Sequence, residues 1–292
     1  MRNKKSLTEI IFDILNYFIL SILFIICIFP FYYIFIYSIS DSIIAQKGLS
    51  ILPKGFTLAN YIKIFTLDGL VAASIISVLR TVIGSIVTII ACFFFGYVVT
   101  KEKLPCRKLI YRFLIITMYL NAGLIPWFLT MRMYHLNNNF LVYILPGAVS
   151  AFYVILIKTY IEQLPQALEE SAKLDGAGYI TIIMKIIFPL SMPIVATILV
   201  FASVGQWNSW FDNYILVQNK GLKTLQLVLY EYLQQANAIS SDSHTLSLRA
   251  KVVSPKSVKM TITMLVTLPI LIVYPFMQRY FLKGIMMGAV KG

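Results

Sequence analysis

The 292-residue chain is 59% hydrophobic and only 13% charged, and its mean hydropathy is +0.81. Soluble domains contain roughly 45–50% apolar and about 25% charged residues, so this composition excludes an ordinary soluble fold. The formal net charge of +13 is dispersed over short loops, with no basic helix that carries interleaved aromatic residues. The basic side chains are therefore expected to be solvated or to contact lipid headgroups, rather than to bind nucleic acid.

Several apolar runs are close to the ~20 residues that a helix needs to cross the hydrocarbon core of a bilayer. In chain order they cover residues 14–36, 71–99, 109–129, 141–160, 190–210 and 260–281. The first run is longer than the ~7–15 apolar residues of a signal peptide and has no small-residue cleavage site, so we expect it to be retained. The pattern predicts an all-α membrane protein with six transmembrane helices in a single domain, residues 1–292.

The charges that flank the runs predict the orientation of the chain. Lys101, Lys103 and Arg107 form a compact basic loop between the second and third runs. Short basic loops of this kind remain cytoplasmic. We therefore expect a multi-pass protein of the bacterial cell membrane whose amino and carboxyl termini are both cytoplasmic.

The sequence shows no constellation typical of catalysis or of a bound metal. Cys27 and Cys92 fall in apolar runs and Cys106 in a loop, so three free thiols are expected. His135 and His244 are too few and too far apart in sequence for a metal site. A membrane-embedded enzyme would need clustered intramembrane acids, histidines or a Ser/Lys arrangement, and none is seen. A secondary transporter or channel would show inverted repeats or broken helices with buried acids, whereas here the acids concentrate in one cytoplasmic loop. The pattern favours a transport subunit that performs no chemistry of its own.

The segment 162–189, between the fourth and fifth runs, predicts a helix, a turn and a second helix on the cytoplasmic side. Pro165 suits the first turn of a helix, and Glu169 precedes Lys173 by four residues, the favourable order for an ion pair. Asp175 and Gly176 are typical of a helix end followed by a turn. Small side chains at positions 167, 171 and 172 leave room for another protein to approach this helix.

The stretch 170–177, followed by 186–189, resembles the Glu-Ala-Ala loop of binding-protein-dependent ABC transporter permeases. That family has Glu-Ala-Ala, three residues, Gly, and later Ile-x-Leu-Pro; Ser171 and Phe188 are mild departures from it. Segments 122–126, 145–149, 207–211 and 284–292 are similar to the carbohydrate branch of the family, in particular to the second permease of maltodextrin and complex-oligosaccharide importers. The resemblance covers essentially the whole chain.

The resemblance implies a type I ABC importer permease fold, in which 162–189 is a cytoplasmic coupling loop that docks on an ATPase. Glu170 would pair with a basic group of the ATPase, and Gly176 would provide the turn. The residues to which the resemblance assigns this coupling are Glu169, Glu170, Ser171, Ala172, Asp175, Gly176, Ala177 and Pro189.

The resemblance also implies the partners of the chain. They are a second homologous permease subunit, a dimer of cytoplasmic ATP-binding subunits, an extracellular solute-binding protein, and a sugar or oligosaccharide substrate. ATP and Mg²⁺ would be bound by the ATPase, because this chain has no Gly-x-x-x-x-Gly-Lys-Ser/Thr loop. No cofactor is expected on the chain itself. The alternative substrate is an amino acid, a peptide or another small polar solute.

Aromatic and polar residues near the third and fifth runs are candidates for the substrate pathway. They are Tyr119, Asn121, Trp127, Trp207, Asn208, Trp210, Asp212 and Tyr214. Such residues suit sugar rings and hydroxyls, but those after the fifth run are also typical of a membrane-interface belt or of gate packing. Those in the third run are equally typical of packing between helices. Arg80, inside the second run, would snorkel outward, pair with an acid or line the path.

Overall fold

The computed structural model describes residues 6–42, 44–45, 48, 51–66, 69–241 and 255–289, with side chains except at 235–241, 255 and 276–289. Within these ranges the secondary structure is helical apart from one isolated antiparallel bridge, Ser40 to Phe56, which confirms the all-α prediction there.

The α-helices are α1 (Leu7–Ser38), α2 (Ala59–Phe65), α3 (Leu70–Thr100), α4 (Arg107–Tyr119), α5 (Leu124–Met133), α6 (Ala151–Ile161), α7 (Ala167–Leu174), α8 (Tyr179–Ile182), α9 (Phe188–Leu190), α10 (Met192–Asn208), α11 (Phe211–Leu216), α12 (Leu225–Ser241) and α13 (Pro255–Ala289). A π-helical turn, Ile183–Ile187, joins α8 to α9, and 3-10 turns occur at Phe140–Tyr143 and Lys220–Leu222. Segment 284–292 is one of those similar to the carbohydrate branch of the family. Its last three residues, 290–292, lie outside the described ranges.

Three helices are long and apolar enough to cross a membrane: α1, α3 and the part of α13 from Lys256 to Pro275. Two more crossings result if each of two bent helix pairs is one span. One pair is α4 with α5, bent by 118°, and the other is Tyr179–Leu190 with α10, bent by 80°. The described residues therefore contain three to five candidate spans.

Two of the predicted runs are interrupted rather than continuous helices. In 109–129 the chain breaks before Gly123, whose φ of +85° is accessible to glycine at little cost. In 141–160 only α6 is α-helical, because Pro146 and Gly147 fall in the irregular segment that precedes it. Hydrophobicity locates such runs, but it does not report a break within them.

The described residues of Met1–Leu67 and Glu231–Leu268 form one compact unit. The backbone N–H of Ser6 donates to the Glu9 carboxylate at 3.0 Å, which satisfies a free donor at the start of α1. Most apolar side chains of α1 are exposed, as expected of a helix that faces lipid or another subunit. Beyond α1, the Asn60 amide donates to the carbonyl oxygens of Ser38 at 3.0 Å and Ser40 at 2.8 Å, and so fastens this segment to α2.

Residues 68–230 and 269–292 form the second unit, in which α3 packs against α6 and α10. Two glycines permit these close approaches. A Cβ at Gly96 would lie 2.8 Å from Cγ2 of Ile157 on α6, and a Cβ at Gly84 would lie 2.8 Å from Cδ of Gln206 on α10. Small residues allow helix backbones to approach closely, which increases the van der Waals attraction available in a membrane.

The Gly96 contact yields a stability prediction. We expect Gly96→Val to lower the free energy of unfolding by about 1–3 kcal/mol, because the new methyl groups overlap Ile157. The measurement is thermal unfolding of the detergent-solubilised chain. Adding Ile157→Ala makes room for the valine. The double variant should therefore lose less free energy of unfolding than the sum of the losses in the two single variants. Additive losses would show that α3 and α6 do not meet at this point.

Candidate functional site

Helix α7 ends in the turn that the sequence predicts. The backbone N–H of Ala177 donates to the carbonyl of Ala172 at 2.9 Å, and that of Gly176 donates to Lys173 at 3.1 Å. Together these bonds form a Schellman motif. Gly176 has a φ of +77°, and Asp175 is the residue at which the helix ends. The chain then continues into α8 and reaches α9, where Pro189 is exposed.

One face of α7 is fastened to the end of α3. Both carboxylate oxygens of Glu169 accept hydrogen bonds from the Lys101 amine, at 2.5 and 2.6 Å. The amine also lies 3.7 Å from the centroid of the Tyr97 ring, a cation–π contact. Burial lowers the pKa of Lys101, and the hydrogen bond with Glu169 opposes that shift. Lys173 lies 3.7 Å from the same carboxylate, so the predicted pair with Glu169 is present but is the longer of the two contacts.

The other face of α7 is open. Glu170 and Ser171 are exposed, whereas Ala172 is buried. Leu174 is 89% exposed, and Tyr179 and Ile180 are exposed just beyond the turn. Apolar side chains of this size at a charged surface are typical of a site that another protein covers.

A second ion-pair group holds the start of the same segment. Glu162 accepts from Arg107 at 2.8 Å and from Lys158 at 2.7 Å. Arg107 also donates through Nε to the carbonyl of Val99 at 2.8 Å. Lys101, Arg107 and Lys158 thus lie at one end of α3, α4 and α6 and bind acids of the segment that contains α7.

The structure divides the pathway candidates into separate places. Tyr119 is 82% exposed, and Asn121 is exposed at the bend between α4 and α5, where its Oδ1 accepts the Gly123 N–H at 2.9 Å. Trp127 and Asp212 line a common cavity. Trp207 lies half-buried on α10, and the side chain of Asn208 accepts from Gln226 at 3.1 Å.

Trp210 belongs to an aromatic cluster. Its ring stacks on Tyr230 with centroids 4.1 Å apart and an interplanar angle of 18°. Tyr214 contacts both rings edge-on, at 6.0 and 5.7 Å. Because Tyr230 covers one face of the indole, this geometry favours the packing interpretation of Trp210 over direct contact with sugar.

Arg80 pairs with an acid, one of the three alternatives that the sequence leaves open. Its guanidinium is 3% exposed and binds both carboxylate oxygens of Asp212, at the start of α11. It also donates to Gln206 Oε1 at 3.0 Å and to the carbonyl of Ser209 at 3.2 Å. The ring of Tyr143 lies under the guanidinium at 4.6 Å. A buried charge is tolerated when it is paired and hydrogen-bonded in this way.

Comparison with known families identifies the chain. Residues 93–287, which include α7 and its turn, match the model of the family described as binding-protein-dependent transport system inner membrane component. The chain belongs to this family. The predicted family resemblance is thereby confirmed, as is the prediction of a multi-pass membrane protein, and the chain is a permease subunit of a transport system.

Individual relatives match this permease over nearly its full length. It is 34% identical to protein LplC of Bacillus subtilis (strain 168), over 97% of this chain and 95% of the relative. It is 31% identical to the polygalacturonan/rhamnogalacturonan transport system permease protein YtcP of the same strain, over 97% and 99%. In fold it is similar to a chain of a bacterial ABC transporter involved in the import of the acidic polysaccharide alginate, with a TM-score of 0.84, 29% identity, and coverage of 95% of this permease and 99% of that chain.

The internal partners of the candidate residues are not predicted by the sequence. In the sequence, Lys101 indicates only the orientation of the chain in the membrane, and neither Gln206 nor Tyr143 is among the candidate residues. Gln206 carries a usable signal, since an amide within an apolar run requires a polar partner just as Arg80 does. Arg80 and Gln206 are 126 positions apart, and nothing in the sequence shows that they form a hydrogen bond with each other.

The Lys101–Glu169 bond yields a second prediction. Reversing either charge, with Lys101→Glu or Glu169→Lys, should lower the free energy of unfolding by about 1–3 kcal/mol, because a half-buried charged group loses its partner. The double reversal should recover at least half of the summed loss. Thermal unfolding measures both effects, with Lys173→Glu as the matched control, since the longer contact predicts a smaller loss. If the double reversal recovers nothing, the bond does not hold α7.

Proposed function

We propose that this permease is the membrane-spanning subunit of an ATP-driven importer that brings a sugar or oligosaccharide into a bacterial cell by alternating access. It works with a second homologous permease, two cytoplasmic ATP-binding subunits and an extracellular solute-binding protein. The ATP-binding subunits hold ATP and Mg²⁺ and supply the energy. This permease supplies part of the path and the contact through which movement of the ATPase is transmitted.

The observation that carries the proposal is the asymmetry of α7. Its inner face is joined to α3 through Glu169 and Lys101, and its outer face presents Glu170 beside the apolar Leu174. An exposed acid suits a basic group on a partner, and an exposed leucine suits an apolar pocket. A helix attached firmly on one side and docked on the other transmits a displacement instead of absorbing it.

The relatives support a saccharide as the substrate. One is named for the transport of polygalacturonan and rhamnogalacturonan, and a structural relative takes part in the import of alginate. No relative described above is named for amino acids or peptides, so a saccharide is favoured over that alternative.

The broken helices support six spans, an even number that leaves both termini on one side of the membrane; the basic loop of Lys101, Lys103 and Arg107 supports the cytoplasmic side. The long helices α1, α3 and α13 contribute three crossings, α4 with α5 and the helix α10 contribute two more, and α6 with the irregular segment before it contributes the sixth. Interrupted helices line binding sites in transporters, because their free backbone groups require protein, water or substrate as partners. The bend at Asn121 is thus a position at which substrate passes in this proposal.

A charge reversal on the open face of α7 tests the coupling role. In the purified complex, Glu170→Lys should lower saccharide-stimulated ATP hydrolysis at least about tenfold, because an interfacial charge pair becomes a repulsion. Less ATP-binding subunit should also co-purify with the variant. Thermal unfolding of the isolated permease should not change, since Glu170 is exposed.

Glu102→Lys is the matched control, because Glu102 is also exposed but lies in the loop before α4. It should retain the hydrolysis rate of the unmodified complex. If Glu170→Lys left saccharide-stimulated ATP hydrolysis unchanged, the assignment of this face to the ATPase would be overturned.

A further inference from the structure

A cavity of about 250 Å³ lies in the second unit beside the Arg80–Asp212 pair. Its wall includes Trp127 of α5, Tyr153 of α6, and Gly205 and Gln206 of α10. Pockets for drug-sized ligands measure roughly 300–1,000 Å³, so this volume suits a single small ring rather than a saccharide chain.

The cavity has an aromatic side. Trp127 and Tyr153 are both half-buried, so part of each ring is in contact with the cavity. An aromatic face packs well against the C–H face of a sugar ring, which is the apolar side of an otherwise polar molecule. Tyr143 also belongs to the wall, but its ring is occupied by Arg80 and its hydroxyl donates to the carbonyl of Leu222 at 2.7 Å.

The cavity also has an oriented amide. Arg80 can only donate, so the Gln206 atom that it contacts is the oxygen, and both amide N–H groups are on Nε2. This nitrogen lies between two glycines: a Cβ at Gly84 would be 2.8 Å from it, and a Cβ at Gly147 would be 3.7 Å from it. The amide is therefore held at the cavity wall with donors available for a hydroxyl or an ether oxygen.

The charge at the cavity is balanced. Four hydrogen bonds, to Gln206, Ser209 and the two oxygens of Asp212, occupy four of the five N–H groups of Arg80. A carboxylate in the cavity would find that positive charge already neutralised and would meet repulsion from Asp212. The electrostatics favour an uncharged ligand.

We infer that this cavity is a subsite for one uncharged sugar ring, with Trp127 packing on the ring and Gln206 donating to its oxygens. The Arg80–Asp212 pair positions Gln206 and disfavours uronate rings. The inference rests on the proposed function, and it assigns direct contact with substrate to this subunit. It also gives Arg80 and Gln206 the role of selecting between neutral and acidic saccharides.

Gly205 allows the cavity to be filled without disturbing its surroundings, because a Cβ there would meet nothing within 4 Å. The measurement is uptake into liposomes that contain the complete complex, with binding protein and ATP. The substrates are neutral maltotriose, acidic trigalacturonate and a mixed rhamnose–galacturonate disaccharide. Gly205→Leu should lower uptake of saccharides that contain a neutral ring at least about tenfold, since the added carbons occupy the space of the ring. Gly205→Ala should cause a smaller loss.

Val204→Leu is the control, since it adds volume at the adjacent position of α10, which is 39% exposed and is not part of the cavity wall. It should retain the uptake of the unmodified complex. Thermal unfolding establishes that Gly205→Leu is folded. Trp127→Leu and Trp127→Phe give an independent measurement: the leucine should raise KM for uptake several-fold, and the phenylalanine, which keeps an aromatic face, should raise it less.

The outcomes separate this inference from the proposed function. If Gly205→Leu transports as well as Val204→Leu, or if Trp127→Leu leaves KM unchanged, the cavity is not a subsite, although the permease remains a saccharide importer. If the unmodified complex transports only the all-uronate saccharide, the assignment to a neutral ring is wrong. If it transports no saccharide, the proposed function fails, and the inference fails with it.

Discussion

The close approach of α10 to α3 over Gly84 is the contact on which much of the second unit depends. Because Gly84 has no side chain, Gln206 lies across α3 and reaches Arg80. Arg80 in turn binds Asp212, so a charge buried in an apolar helix is neutralised by an acid in the first turn of α11. A buried arginine without such a partner would cost several kcal/mol in a membrane protein. The absence of a side chain at Gly84 therefore leaves room for the amide that links α10 to Arg80 and, through Arg80, to α11.

Side chains also satisfy the backbone where helices are interrupted. Arg80 binds the carbonyl of Ser209 at the break between α10 and α11. Asn213, which is fully buried, accepts from the backbone N–H and the hydroxyl of Thr224, at 2.8 and 3.1 Å. Ser77 of α3 accepts the N–H of Leu225 at 2.8 Å. Irregular backbone within the protein is stable only when such partners replace water, and these three positions each have a polar side chain that does so.

Glu169 and Glu170 illustrate how adjacent residues of one type acquire different roles. Successive positions on a helix point about 100° apart, so one carboxylate faces Lys101 and the other faces solvent. The inner acid attaches α7 to the end of α3. The outer acid is exposed to the proposed ATPase partner. Docking and internal attachment are both required in this proposal, because docking without attachment to α3 would move α7 alone.

The sequence by itself determined the all-α class, the positions of the apolar runs, the turn at Gly176 and the permease family. These depend on local chemistry, namely hydrophobic length, a glycine with positive φ, and a contiguous motif. Only the tertiary structure decided that the run 109–129 bends by 118°, that Glu169 faces inward, and that Arg80 pairs with Asp212. The bend occurs at Gly123, where the sequence reports a glycine but not the angle, whereas the other two features depend on residues distant in the chain. A single sequence reports that Arg80 needs a partner, but the partner is chosen by the packing of α3 against α10, which brings together side chains more than a hundred residues apart.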